Sequence, residues 1–182
     1  VRATLCDMGA DGMLVSALDD IAWLLNLRGT DVHCNPVFVA YLLLSTDKAT
    51  LFIDKAKLTP QVEEYLKAQD VGMESYDKVG EGLREYFEYN ILLDPEETSY
   101  TLYNIIASAD SKAYAKSIVR HASPIPAMKA VKNDVEIAGY HNAMLRDGVA
   151  MVKFLKWLKP AVAEGGQTEM SVDRKLTALR AE

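Results

Sequence analysis

Cysteine is scarce: Cys6 and Cys34 are the two in 182 residues. Two cysteines make no disulfide framework and suit a reducing compartment, so the chain is expected in the cytoplasm. No C-x-x-C or H-x-x-x-H spacing occurs, and His33, His121 and His141 are far apart in the chain. His33 and Cys34 are neighbours, which rarely ligate one ion together, so no metal site is read here. A G-x-S-x-G nucleophile turn is missing, and Gly80-Glu81-Gly82 lacks the rest of either phosphate-binding glycine fingerprint. No apolar run approaches the ~20 residues of a membrane span, and no signal peptide is visible. Positive charge is also short. Lys and Arg number 20 against 26 Asp and Glu, a net charge of −6. Residues 1–122 carry 11 against 19, and residues 123–182 carry 9 against 7. An acidic front half excludes a nucleic-acid backbone as partner, because phosphate binding needs clustered cations.

What is present is ordinary globular material, 49% hydrophobic with scattered charge. Apolar runs at residues 13–16, 37–45, 50–54, 71–76, 91–93 and 115–119 read as strands, with a hairpin turn at Thr46-Asp47-Lys48. Helical spacing lies between them. Thr59-Pro60 opens a helix to about Ala68. Asp77 caps one that runs to about Tyr89 through Val79, Leu83, Tyr86 and Phe87, weakened by Gly80 and Gly82. Ser99 caps residues 100–108. Interleaved strands and helices predict an α/β domain over residues 1–122 with a mixed β-sheet flanked by helices. Pro124 and Pro126 predict a stiff linker at residues 123–127. Residues 128–182 are all helix. One helix runs from about Asn133 to Lys159, stopped by Pro160, and another starts near Ser171. The long helix carries two apolar stripes, one with Val135, Leu145 and Val149 and the other with Ile137, Met144 and Leu155. Such a surface needs covering from two sides. Trp157 is expected to pack elsewhere in a longer protein and Trp23 to be partial core. The first helix opens without a cap and the last has no stop, so the chain reads as excised from a longer one.

Residues 18–41, LDDIAWLLNLRGTDVHCNPVFVAY, organise the front half. Ser16 with Asp19 forms an S-x-x-D capping box, and Leu18, Ile21, Ala22, Leu24 and Leu25 put one helical face inward. Asp19 and Asp20 then serve the helix N-terminus. From Arg28 to Asn35 the chain is almost all polar before Pro36 returns it to the core. A polar loop between two buried elements is a common place for binding groups. Arg28 could steer a peptide carboxylate or carbonyl, and Asp31 or Asn35 could bond an amine or backbone group. The alternative is structural, with Arg28 paired to Asp31 and Asn35 holding the turn.

The run ALDDIAWLLNLRGTDVHCNPVF resembles the second, non-catalytic domain of the three-domain Xaa-Pro aminopeptidases, of the creatinase/prolidase-like family. A second run, KAVKNDVEIAGYHNAMLRDGVAMVKFLKWL after Pro124-Ile125-Pro126, is similar to the start of that family's catalytic domain. The resemblance implies a metallopeptidase that removes an N-terminal residue preceding proline. It would use two divalent ions, usually manganese, held by two Asp, one His and two Glu in the catalytic domain. None of those ligands can be carried onto this sequence, so it implies no catalytic residue and no cofactor within these 182 residues. This piece would be inactive alone and would overhang the active-site mouth of its own or a neighbouring subunit. Arg28, Asp31 and Asn35 are the substrate-proximal candidates. Peptides with proline second are the implied partners, a homodimer the implied assembly, and neither nucleic acid nor membrane is expected. Relatives that have lost the metal ligands serve as protein- or peptide-binding modules, as in a histone chaperone subunit. That non-catalytic role is the alternative.

Overall fold

A strand of four buried residues, β1 (Gly12–Val15, with α1 Arg2–Asp7 before it), lies inside a six-stranded sheet. The computed structural model describes residues 1–86, 89–107 and 118–182. After β1 come α2 (Leu18–Leu24), β2 (Ala40–Ser45), β3 (Ala49–Ile53), α3 (Pro60–Ala68), β4 (Val71–Ser75), α4 (Val79–Arg84) and β5 (Ile91–Leu93). Then follow α5 (Tyr100–Ala107), β6 (Val119–Arg120), α6 (Ile125–Ala130), α7 (Asp134–Glu164) and α8 (Glu169–Arg180). The strand order is β4-β3-β2-β1-β5-β6. β1 pairs antiparallel with β2 and parallel with β5; β2–β3 is antiparallel, β3–β4 and β5–β6 are parallel. The sheet is mixed and flanked by helices, as expected.

Successive strand residues point to opposite faces, and here both faces are apolar. Met13, Val15, Leu42, Leu44, Leu51, Ile53 and Leu92 join a core with Leu5, Ile21, Leu66 and Ile125, from α1, α2, α3 and α6. Leu14, Leu43, Phe52, Ile91 and Leu93 join a second core with Val79, Leu83, Leu102 and Ile106, from α4 and α5. Two-sided burial is why the strands read as unbroken apolar runs.

Several local expectations change in the folded chain. The N-cap of α2 is Ala17, with no side-chain cap bond, and the Ser16 hydroxyl is buried without a hydrogen-bond partner among the described residues. The Ser16–Asp19 capping box is therefore not formed. Asp19 and Asp20 sit in the first turn but accept from Lys129 of α6, the buried Asp20 at 2.6 Å. The Lys129 hydrogen bond, foremost among the causes, holds the Asp19 carboxyl below its usual range. Asp77 falls in a 3-10 turn ahead of α4, and Lys78 is the cap position. Pro124 and Pro126 do not keep the segment irregular, because Pro126 occupies the first turn of α6, where its missing N–H costs nothing. The Trp23 side chain packs partly buried against the first core. Phe87, Ser108 and residues 115–117 of the expected elements lie outside the described residues.

The chain divides into two compact units, Val1–Ala130 and Val131–Glu182. In the second, Asn133 and Glu136 form a capping box for α7, and Thr168 and Ser171 do the same for α8. Pro160 does not end α7, which runs on to Gly165 at φ 82°. A proline inside a helix removes one hydrogen bond and strains the preceding turn, at about 3 kcal/mol. Ala150, Phe154 and Leu179 form the seam of α7 with α8, flanked by Trp157, Leu158 and Leu176. Val135, Leu145 and Val152 stay exposed.

Gly82 explains why a weak helix former sits in α4. A Cβ built there would lie 2.4 Å from Phe52 Cζ and 3.2 Å from Leu43 Cδ1, so the glycine lets α4 lie against the sheet. Gly82→Ala gains up to about 1 kcal/mol of helix propensity but forces core side chains off their rotamers, at about 1–3 kcal/mol. A lower urea midpoint is the expected outcome. An equal or higher midpoint means the contact is not limiting.

Candidate functional site

The polar loop of residues 28–35 begins where α2 stops. Asn26 takes the left-handed conformation (φ 49°), the Asn26 N–H donates to Trp23 O and the Leu27 N–H to Ala22 O. This is a Schellman-type stop, with asparagine in the place glycine usually takes. Arg28 completes it: Nη1 donates to Ala22 O (3.0 Å) and Leu27 O (2.8 Å). A cation here also suits the negative end of the helix dipole. Tyr65 of α3 donates its hydroxyl to Leu25 O at 3.0 Å, so a third carbonyl at this helix end has a partner.

Beyond Arg28 the loop folds back on itself. The Gly29 N–H donates to Pro36 O and the Asp31 N–H to Val37 O, with Val32 and Asn35 bridged nearer the tip. A Cβ on Gly29 would come within 2.7 Å of Phe38 Cβ, so only glycine permits this close return. At the tip, His33 and Cys34 are exposed, and Cys34 has φ 59°. Asp31 Oδ2 accepts from the Val39 N–H at 2.7 Å and from the Lys57 ammonium at 2.6 Å. Lys57 ends a 3-10 turn (Lys55–Lys57) capped by Asp54, whose Oδ1 accepts from the Ala56 N–H. The hydrogen bond from Lys57, and after it that from Val39, draws the Asp31 carboxyl below its ordinary range.

The pairing of Arg28 with Asp31 weighed from the sequence does not occur: Arg28 caps the helix and Asp31 is held by Lys57. Asn35 does hold the turn before Pro36, through its backbone N–H to Val32 O and its carbonyl to the Val37 N–H. Arg28, Asp31 and Lys57 meet around a cavity of about 270 Å³ with apolar walls from Leu27, Phe38, Ile53, Leu58 and Val62. Asn35 does not line it. Lys57 carried no sequence signal, because nothing in its local pattern links it to a carboxylate 26 residues away. Two cations and one carboxylate beside an apolar hollow can recognise a polar, partly anionic chain end. They include no activated nucleophile. Among the described residues, no three His, Cys, Asp or Glu side chains are grouped so as to hold a metal ion, and no helix is long and apolar enough to cross a membrane.

Comparison with known proteins places this geometry in context. Residues 1–136 match the Creatinase/Prolidase N-terminal domain. The chain is 38% identical over 186 residues to Xaa-Pro aminopeptidase 1 of Dictyostelium discoideum, aligning 99% of this chain and 28% of that protein. It is also 38% identical to Xaa-Pro aminopeptidase ApepP of Drosophila melanogaster, over 99% of this chain and 29% of the relative. Among solved structures, X-prolyl aminopeptidase from Caenorhabditis elegans, described as a cytosolic enzyme with a di-nuclear active site, superposes with a TM-score of 0.84 at 30% identity. That match covers 99% of this chain and 29% of the other. The Xaa-Pro dipeptidase of Bacillus anthracis shares the fold, with a TM-score of 0.67 at 19% identity. The chain thus spans under a third of the length of these aminopeptidases.

The Asp31 contacts predict a defined pH response. Its carboxyl titrates below the usual aspartate value of 3.8, so its contribution to stability is present above that pH and is lost as the pH falls toward its folded value. In an NMR titration the Val39 amide shift should report a midpoint below 3.8. Lys57→Met should raise that midpoint. A wild-type midpoint at or above 3.8 would show that the Lys57 contact is absent in solution.

Proposed function

Because the chain belongs to the creatinase/prolidase N-terminal domain family, we propose that it is the non-catalytic front part of a metal-dependent Xaa-Pro aminopeptidase. The observation that carries this reading is the 38% identity to Xaa-Pro aminopeptidase 1 along 99% of this chain, confined to 28% of that protein. The proposed reaction is hydrolysis of the peptide bond before proline, acting on peptides with proline second, in the cytosol and as a homodimer. The two divalent ions, manganese in this proposal, find no matching donor group among the described residues. No catalytic step is therefore assigned to these residues, and the chemistry falls to the remainder of the enzyme. The present chain shapes and limits entry to that active site. Arg28, Asp31 and Asn35 are the residues proposed to face the substrate, with Arg28 and Asp31 lining the cavity and Asn35 on the exposed loop.

Two experiments test this. The 182-residue chain supplied with Mn²⁺ should not cleave Xaa-Pro peptides; turnover by it would overturn the division of labour. In a complete enzyme carrying this domain, Arg28→Ala should lower kcat/KM on such peptides by about tenfold or more, the cost of one charge-assisted hydrogen bond. A parallel thermal melt separates this from the loss of the α2 cap. An unchanged kcat/KM removes Arg28 from the substrate path and leaves it as a helix cap.

A further inference from the structure

Residues 121–130 form a strap between β6 and the end of the first unit, and three contacts of different kinds hold it. The Ser123 N–H donates to Asp94 Oδ2 at 2.7 Å. Ile125, with no exposed surface, inserts into the core on the α2 side of the sheet. Lys129 donates to Asp19 Oδ2 and, at 2.6 Å, to Asp20 Oδ1. Asp20 is the buried partner, its side chain 3% exposed against 61% for Asp19. Only one residue later the first unit ends, and Val131 is 80% exposed.

We propose that Lys129 is a latch that fixes the end of the first unit by pinning α6 to the N-terminal turn of α2. A carboxylate as buried as Asp20 cannot be left without a cation at modest cost, so the strap is held in place or released as a whole, with little between. The strands do not depend on it. β1 to β4 are paired with one another and covered by other helices, so release of the strap leaves the sheet standing. The latch therefore defines where the fixed frame of the first unit stops, immediately before the connection into α7.

Hydrogen exchange on the 182-residue chain tests this segment by segment. Lys129→Met keeps the aliphatic stem and removes the charge. It should raise amide exchange across residues 123–130 by at least about tenfold, leaving β2 and β3 at wild-type rates. Unchanged exchange in the strap overturns the latch. So does a rise shared equally by β2 and β3, because the strap would then not be separable from the sheet. Should Lys129→Met fail to fold, Asp20→Asn decides, since it removes the buried charge and its ion pair while keeping the side chain's size. A rise confined to residues 123–130 supports the latch, and none overturns it.

Discussion

Strand β1 has a neighbour on each edge and apolar layers on each face, and the rest of the first unit follows from that enclosure. Met13 and Val15 belong to one core and Leu14 to the other, so the side-chain alternation of a single strand feeds both. Gly12, at its start, would bring a Cβ within 2.8 Å of Leu44 O, so even the strand's entry is closely hemmed in. Burying apolar surface on both sides is worth roughly 25 cal/mol per Å². It makes an unpaired polar group at the strand ends costly, and the Ser16 hydroxyl just after β1 is one such group among the described residues. The polar constellations of this domain lie at those ends.

Two of them are built alike. At the carboxyl end of β1, α2 opens with Asp19 and Asp20 beneath Lys129. After α2 closes, Asp31 sits beneath Lys57 while Arg28 caps the helix. Each joins a carboxylate on or beside α2 to a lysine distant in sequence, one tying α6 to α2 and the other tying the 28–35 loop to the turn after β3. The loop of residues 28–35 is thus a braced ribbon whose exposed tip carries His33 and Cys34. A braced, exposed loop held by a rigid scaffold is where binding groups are disproportionately placed.

The second unit follows a different rule. The α7–α8 seam is a small core of Ala150, Phe154 and Leu179, with Trp157 half-buried against it and near Lys175. Much of the apolar surface of α7 remains open to solvent, Val135 at 81% and Leu145 at 70%. The stripe residues Val149, Ile137, Met144 and Leu155 are likewise exposed, and what α8 covers is Ala150 and Phe154 between them. The expected stop at Pro160 failed because α7 is already packed on α8 through Phe154, Trp157 and Leu158 just before the proline, and local propensity is a weak prior against such packing.

From the sequence alone came the features that depend on local pattern and composition: strands as apolar runs, Thr59-Pro60 opening α3, a mixed α/β layer, two long family-like runs and a polar loop at residues 28–35. These are legible because hydrophobic periodicity and turn chemistry act over a few residues. Only the tertiary structure decided the partners. It moved the α2 cap from Ser16 to Ala17, gave Asp19 and Asp20 to Lys129, gave Asp31 to Lys57 rather than Arg28, and made Gly82 a contact with Phe52. Apart from the cap, each of these joins residues far apart along the chain. An ion pair or a close approach across that separation is set by where the sheet places its ends, which no local window of residues contains.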